Sequence, residues 1–143
     1  MHIPVQVDYG VRALVDLAEH EREGTVRASD IARRKGIPEP YLARVLLTLQ
    51  NSGVVKSQRG PSGGHSLAMD AAKISMATVM DSLGGTRLMV NCLEHADLCD
   101  LAPECTQRDI WQEVEEAVMN ILRSTSIADL VNRLSSPVPA LAG

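Results

Sequence analysis

Hydrophobic residues recur with a helical period in three successive stretches of the first half of the chain. In the first stretch they follow i, i+3, i+4, i+7 spacing, at Val11, Leu14, Val15 and Ala18. This spacing predicts a helix over residues 8–20. A shorter second helix is predicted over residues 29–36, with Ser29 as its N-cap and Gly36 just past its end.

A third helix is predicted to follow the second after a turn of about three residues. Pro38 and Pro40 mark its start, and Gly53 ends it. The helical spacing of its apolar residues recurs at Leu42, Val45, Leu46 and Leu49. Helices joined in this way are typical of a helix-turn-helix, whose second helix enters the major groove of DNA. The alternative is an ordinary helical hairpin.

A β-hairpin is predicted directly after the third helix, with strands near residues 54–57 and 65–68. The turn between them contains Gly60, Gly63 and Gly64. These glycines permit positive φ angles and a close approach to a phosphate backbone. A helix-turn-helix followed by a hairpin is the layout of a winged helix. Arg59, at the base of the turn, is therefore placed to reach a minor groove or phosphates.

The second half of the chain predicts a short helix and then a long amphipathic one. Ser75 is expected to cap the short helix, over residues 76–83. From about residue 106 to 123, apolar residues alternate by three and four positions, at Ile110, Trp111, Val114, Ala117, Val118, Ile121 and Leu122. Such a seam needs a partner surface. A winged-helix core is expected to be complete by residue 83, so a second copy is favoured over packing within the monomer.

The sequence therefore predicts a mainly α fold with a small β-hairpin wing, which is a winged helix-turn-helix followed by a long C-terminal dimerisation helix. The expected units are a DNA-binding domain, a cysteine loop, dimerisation helices and a frayed tail, over residues 1–85, 86–105, 106–134 and 135–143. Ser126 is expected to cap the last helix, which spans residues 127–134.

Composition agrees with one globular domain, because the 143 residues are 45% hydrophobic and 22% charged. The chain has no Phe, so aliphatic side chains must fill the core. The absence of a long apolar run argues against a membrane span, and the start of the chain lacks the pattern of a signal peptide. We therefore expect a cytoplasmic protein.

The net charge of −4 conceals an uneven distribution. Residues 1–75 carry 10 basic and 8 acidic residues, and residues 76–143 carry 4 and 10. Residues 24–60 alone hold seven basic residues against two acidic ones. This balance suits a first module that meets phosphates, although a solvated charged face is the simpler alternative.

The outward face of the third helix contains one long cation, Arg44, which can bond guanine or hold a phosphate. Tyr41, near the start of that helix, can donate to a phosphate. The basic run of the preceding helix is expected to clamp phosphates rather than read bases, through Arg33, Arg34 and Lys35.

The three cysteines of the chain, Cys92, Cys99 and Cys105, follow C-x6-C-x5-C spacing. Three converging thiolates suit an iron–sulfur cluster or zinc. The spacing is looser than that of zinc ribbons and differs from that of ferredoxins. Acidic residues between the cysteines disfavour a reactive thiolate. A cluster, zinc and free or redox thiols all stay open on spacing alone.

Several of these motifs together resemble the winged-helix iron–sulfur transcription regulators of the IscR/NsrR family. They include Asp8-Tyr9-Gly10-Val11-Arg12-Ala13-Leu14 in the first helix and Arg59-Gly60-Pro61-Ser62-Gly63-Gly64 in the wing. The cysteine triad and Ile127-Ala128-Asp129-Leu130-Val131 follow in order. The resemblance covers nearly the whole chain.

The resemblance implies a homodimeric regulator, most simply a repressor, that binds operator DNA and carries a cluster held by Cys92, Cys99 and Cys105. It also implies a fourth ligand, and Asp8 of the partner subunit stands where the NsrR-like proteins place an aspartate. This match favours a [4Fe-4S] over a [2Fe-2S] cluster. It also favours nitric oxide as the signal, over redox state or iron and cluster supply. The alternatives for Asp8 are a helix cap or a first-turn acid, and His95 is another candidate ligand.

Two features depart from the family pattern: the first cysteine gap has six residues rather than five, and His65 stands where a wing Tyr is common. Other functions stay open as well. The cysteines can bind zinc or act as redox thiols, or the winged helix can serve as the regulatory partner of an enzyme. We expect no enzyme activity, because the chain has no recognisable catalytic motif.

Overall fold

The structure is a computed structural model, which describes residues 2–85, 100–101 and 104–134. It contains six α-helices and one β-hairpin in this part of the chain. In chain order these are α1 (Val5–Glu19), α2 (Ala28–Lys35), α3 (Glu39–Asn51), β1 (Val55–Gln58), β2 (Gly64–Leu67), α4 (Met76–Ser82), α5 (Arg108–Ser124) and α6 (Ile127–Leu134). The strands are antiparallel, with Val55 opposite Leu67 and Gln58 opposite Gly64.

The order of elements confirms the predicted winged helix, and the differences lie at the ends of elements. α1 begins at Val5, three residues earlier than expected, with Pro4 before it. Ser29 is not the N-cap of α2, because the helix already begins at Ala28. The preceding chain is extended, since Val26 forms an antiparallel bridge with His65 of β2. Gly36 does end α2, in the left-handed conformation with φ of 63°.

The core is aliphatic, as the composition predicts, and α1 lies at its centre. α1 packs against α2, α3, α4 and α6. The largest fully buried side chains come from every part of the winged helix and from α6; they include Leu14, Leu17, Ile31, Leu42, Leu46, Leu49, Ile74 and Ile127. At about 25 cal/mol per Å² of buried apolar surface, this cluster is the main source of stability.

α6 belongs to this core, which contradicts the expectation that the core is complete by residue 83. Ile127 is fully buried, and its backbone N–H donates to the Ile74 carbonyl at 2.8 Å. Ser126 forms an antiparallel bridge with Ser75, so the chain returns to the start of α4 before α6 begins. Both serines cap helices as predicted, because Ser75 Oγ accepts from Thr78 N and Ser126 Oγ from Asp129 N.

α5 is the long helix that the apolar seam predicts, and none of its residues is fully buried. Val118, Met119 and Leu122 lean against the core of their own chain. Ile110 and Ile121, by contrast, are 55% and 65% exposed. Some apolar residues of α5 therefore pack against the core of the same chain, and others form an exposed apolar surface.

No helix in the described ranges combines the length and the apolar character that crossing a bilayer requires. The expected frayed tail, residues 135–143, lies outside those ranges.

Candidate nucleic-acid interface

One face of α3 packs into the core, and this leaves the opposite face of the helix exposed. Leu42, Val45, Leu46 and Leu49 are buried as predicted. Tyr41, Ala43, Arg44 and Leu47 are exposed. Within the described residues, Arg44 forms no ion pair. Its guanidinium is therefore available to a base or a phosphate.

The basic residues at the end of α2 form ion pairs with acidic residues of the same chain. Arg34 donates twice to the carboxylate of Asp16, at 2.9 Å each, and Asp16 is fully buried. Lys35 lies 3.3 Å from Glu19. Arg33 is the most accessible member, with 74% of its side chain exposed and one contact to Asp30. Arg33 is therefore the most exposed of the three, and the role of Arg33, Arg34 and Lys35 as phosphate clamps stays a prediction.

Asp16 is a buried acid with a structural role that the hydrophobic pattern did not single out. Hydrogen bonding to this carboxylate raises the pKa of the Arg34 guanidinium above its usual value, so Arg34 stays charged. The pair joins α1 to α2 and so fixes the helix that precedes α3. The signal in the sequence was an acid between Val15 and Leu17, inside an apolar stripe.

The wing is held by the chain segment before α2, and no pattern in the sequence connects the two. Thr25 Oγ1 donates to the Ser62 carbonyl at 2.8 Å, and Arg27 donates to the Pro61 carbonyl at 3.0 Å. The backbone bridge between Val26 and His65 lies beside them. These contacts hold the turn between β1 and β2 in place. Thr25 and Arg27 therefore position the hairpin that forms the wing.

The wing turn presents Arg59 to solvent, as expected, and this residue forms no ion pair with described residues. Gly60 has φ of 108°, a conformation that favours glycine. Gly63 and Gly64 do not have positive φ. They are tightly packed instead, because an added Cβ would meet the backbone of Gln58 or Val26. Their role within this chain is to close the turn.

His65 lies on β2 behind the wing turn. Burial lowers its pKa below the usual value, so the ring is neutral at pH 7. Its Nδ1 is buried and has no hydrogen-bond partner among the described residues. His65 thus supports the hairpin from within rather than offering a charge to DNA.

Asp8 shares a helical face with Val11 and Val15, and this spacing predicts an inward position, but in the structure its side chain lies at the surface of α1. The neighbouring Val7 is buried in the core, whereas 47% of the Asp8 side chain is exposed. It is a first-turn acid rather than the N-cap. Arg12 donates to both of its carboxylate oxygens, at 3.1 and 2.8 Å.

Arg12 connects Asp8 with the helix-turn-helix. Its remaining nitrogen donates to the carbonyl of Lys35, at the end of α2, at 3.2 Å. Its guanidinium carbon lies 5.7 Å from the centre of the Tyr9 ring. The Tyr9 ring in turn lies 6.3 Å from that of Tyr41, at the start of α3. A series of contacts through Arg12 and Tyr9 therefore connects Asp8 with α2 and α3, the two helices of the helix-turn-helix.

Of the cysteine triad, the structure describes Cys105, which is half-buried, forms no disulfide with another described residue and lies just before α5. Cys92 and Cys99, as well as the candidate ligand His95, lie outside the described residues. Which of these side chains come together is therefore a prediction from the sequence.

The helix-turn-helix, the pinned hairpin and the exposed cations on both define a winged-helix DNA-binding transcription regulator. Residues 3–133 match the family model of Rrf2, described as an iron-dependent transcriptional regulator. This chain belongs to the Rrf2 family, whose members are regulators rather than enzymes.

Relatives with known names agree with this assignment. The HTH-type transcriptional regulator IscR of Serratia proteamaculans is 32% identical over 124 residues, which cover 87% of this chain and 75% of the relative. CymR, the global cysteine regulator of B. subtilis, has a TM-score of 0.78 and 29% identity, covering 93% of this chain and 98% of its own. IscR of T. potens has the same TM-score with 27% identity, covering 98% and 94% of the two chains.

Proposed function

We propose that this regulator is a homodimer that binds an iron–sulfur cluster and represses transcription by binding operator DNA. The cysteine triad carries the proposal, because all three cysteines of the chain fall within residues 92–105. The iron dependence in the description of the family supports it. The signal is nitric oxide, cellular redox state or the supply of iron and clusters, and nitric oxide is favoured.

The donor set fits such a cluster chemically. Thiolates are soft ligands that hold iron–sulfur clusters, and Cys92, Cys99 and Cys105 supply three. Asp8 of the partner subunit is the proposed fourth ligand, and a [4Fe-4S] cluster is favoured. When bound, the cluster would supply a centre that responds to nitric oxide or oxidants. A carboxylate is a hard ligand, so the iron at Asp8 would exchange most readily.

The residues of this chain suggest how that response reaches DNA. Asp8 has Arg12 as its partner, and Arg12 also bonds the last turn of α2. Recruiting Asp8 as a ligand would leave Arg12 without its carboxylate. The contacts of Arg12 and Tyr9 with α2 and α3 would then change. A dimer reads half-sites at a fixed spacing, so a small shift of α3 alters affinity.

Iron retention is the direct test of the donor set. After anaerobic purification, Cys99→Ala and Cys105→Ala are expected to contain no cluster, while Asp8→Ala holds a more labile cluster that is poorly coupled to DNA binding. Iron and sulfide analysis, the visible spectrum and a nitric oxide titration measure this. Unchanged cluster lifetime and response in Asp8→Ala would make His95 the next candidate. Zinc in place of iron and sulfide would favour the zinc alternative, and free thiols without metal would favour redox thiols.

The proposed docking places α3 in the major groove and the wing at the neighbouring minor groove or phosphates. Arg44 and Arg59 are expected to lie at the DNA, together with Arg33 and Tyr41. Gly60, Gly63 and Gly64 shape the turn that brings the wing close.

Replacing Arg44 or Arg59 by Ala should therefore weaken operator binding. Log affinity falls as log salt concentration rises, and each lost phosphate contact should make this slope less negative by about 0.9. Fluorescence anisotropy over a salt series measures both effects, with Arg123→Ala on α5 as the control. Unchanged affinity in both variants would show that this docking is wrong.

A further inference from the structure

α3 carries an apolar side chain in the middle of its outward face. Leu47 is 57% exposed, whereas Leu46 and Leu49 beside it are almost fully buried. Leu47 follows Ala43 and Arg44 by four and three residues, so the three share one strip of the helix surface. The burial of the opposite face turns this strip toward the surface that meets DNA.

The polar side chains around Leu47 are mostly committed to the chain itself. Thr48 Oγ1 donates to the Arg44 carbonyl at 3.0 Å, and Gln50 Oε1 accepts from Ser57 of β1 at 3.0 Å. Ala43 offers no polar side-chain atom. Arg44, Asn51 and the amide nitrogen of Gln50 remain to form hydrogen bonds, and the centre of the strip is apolar.

The methyl group of thymine is the apolar feature that bases present in the major groove. We propose that Leu47, with Ala43 beside it, packs against a thymine methyl group in each operator half-site and so determines part of the sequence specificity. The proposal rests on the docking of α3 described above. Leu47 lies about 4.5 Å further along the helix axis than Arg44. The thymine therefore falls within one or two base pairs of the Arg44 contact.

The charges around the strip favour DNA over a protein surface as its occupant. From α3 to the end of β2, the chain contains Arg44, Lys56 and Arg59 but only one acid, Glu39. This excess of positive charge along the segment that contains Leu47 suits a groove lined by phosphates. The outward apolar residues of α5 form a separate surface, so Leu47 is not needed to explain dimerisation.

Deoxyuridine provides a sharp test, because it differs from thymidine only by the missing methyl group. A duplex selected from random sequence by the cluster-loaded dimer serves as the probe, and each thymidine pair related by its two-fold symmetry is replaced in turn. One replacement is expected to lower the affinity about fourfold per half-site, which corresponds to the burial of one methyl group. Leu47→Ala, whose fold is preserved because the site is exposed, should lose this sensitivity.

Two matched variants separate this proposal from the docking model. Leu47→Met keeps an apolar side chain of similar reach and should retain the sensitivity. Arg59→Ala should bind more weakly overall but show the same fourfold ratio. If Arg44→Ala and Arg59→Ala weaken binding while no thymidine matters, or while Leu47→Ala stays equally sensitive, the role of Leu47 is wrong and the docking stands. A Leu47→Ala variant that changes only its oligomeric state would also overturn the proposal.

Discussion

Replacing Arg34 by Ala is expected to lower the free energy of unfolding by about 3 kcal/mol, which is the cost of leaving a buried charge without its partner. Asp16 is fully buried, and two hydrogen bonds from Arg34 satisfy its carboxylate. His20 Nδ1, at 3.8 Å from this carboxylate, is too distant for a hydrogen bond. We place the effect at the low end of the known range because part of the Arg34 side chain reaches solvent.

Thermal and urea unfolding at a fixed protein concentration measure this loss, and a fall in Tm of about 10 °C is expected for a chain of this size. Lys35→Ala is the control, because its pair with Glu19 is partly exposed and should contribute less than about 1 kcal/mol. The double variant Asp16→Leu with Arg34→Met removes both charges and should recover most of the stability. An Arg34→Ala protein as stable as the parent would contradict this role of the pair.

Replacing Ile121 by Glu should convert the proposed homodimer into a monomer. Ile121 is 65% exposed on α5, so the charge does not disturb the core of its own chain. In a two-fold symmetric dimer both chains contribute the same surface, so the substitution introduces two unpaired charges into the interface. Burying a charge without a partner costs several kcal/mol, so the separated chains should be favoured. Val114 is half-buried within the chain, so Ile121 is the cleaner site.

Light scattering over a range of concentrations measures the oligomeric state, and circular dichroism checks the fold. Asn120→Glu, which adds the same charge one residue earlier on α5, should remain dimeric. A folded Ile121→Glu protein that stays dimeric would place the interface elsewhere. The monomer is also expected to bind operator DNA much more weakly, because it contacts a single half-site.

The helices of the winged domain were predictable because their signal is local. The spacing of Leu42, Val45, Leu46 and Leu49 identified both α3 and its buried face, and this identified Arg44 as an outward cation. Gly36 and Gly53 ended helices because glycine readily adopts positive φ. The N-cap of α2 was wrongly predicted, because a bridge to β2, distant in sequence, fixed where the helix begins.

The sequence by itself determined the fold class, the outward face of α3 and the cysteine triad, because each depends on residue type and spacing along one segment. Only the tertiary structure decided how far each basic residue of α2 is engaged by acidic partners within the chain. Arg34 and Lys35 look like Arg33 in the sequence, but the packing of α1 against α2 provides them with acidic partners. It also decided that α6 completes the core and that Thr25 and Arg27 pin the wing. These contacts join segments that are far apart in the chain, so local sequence patterns do not predict them.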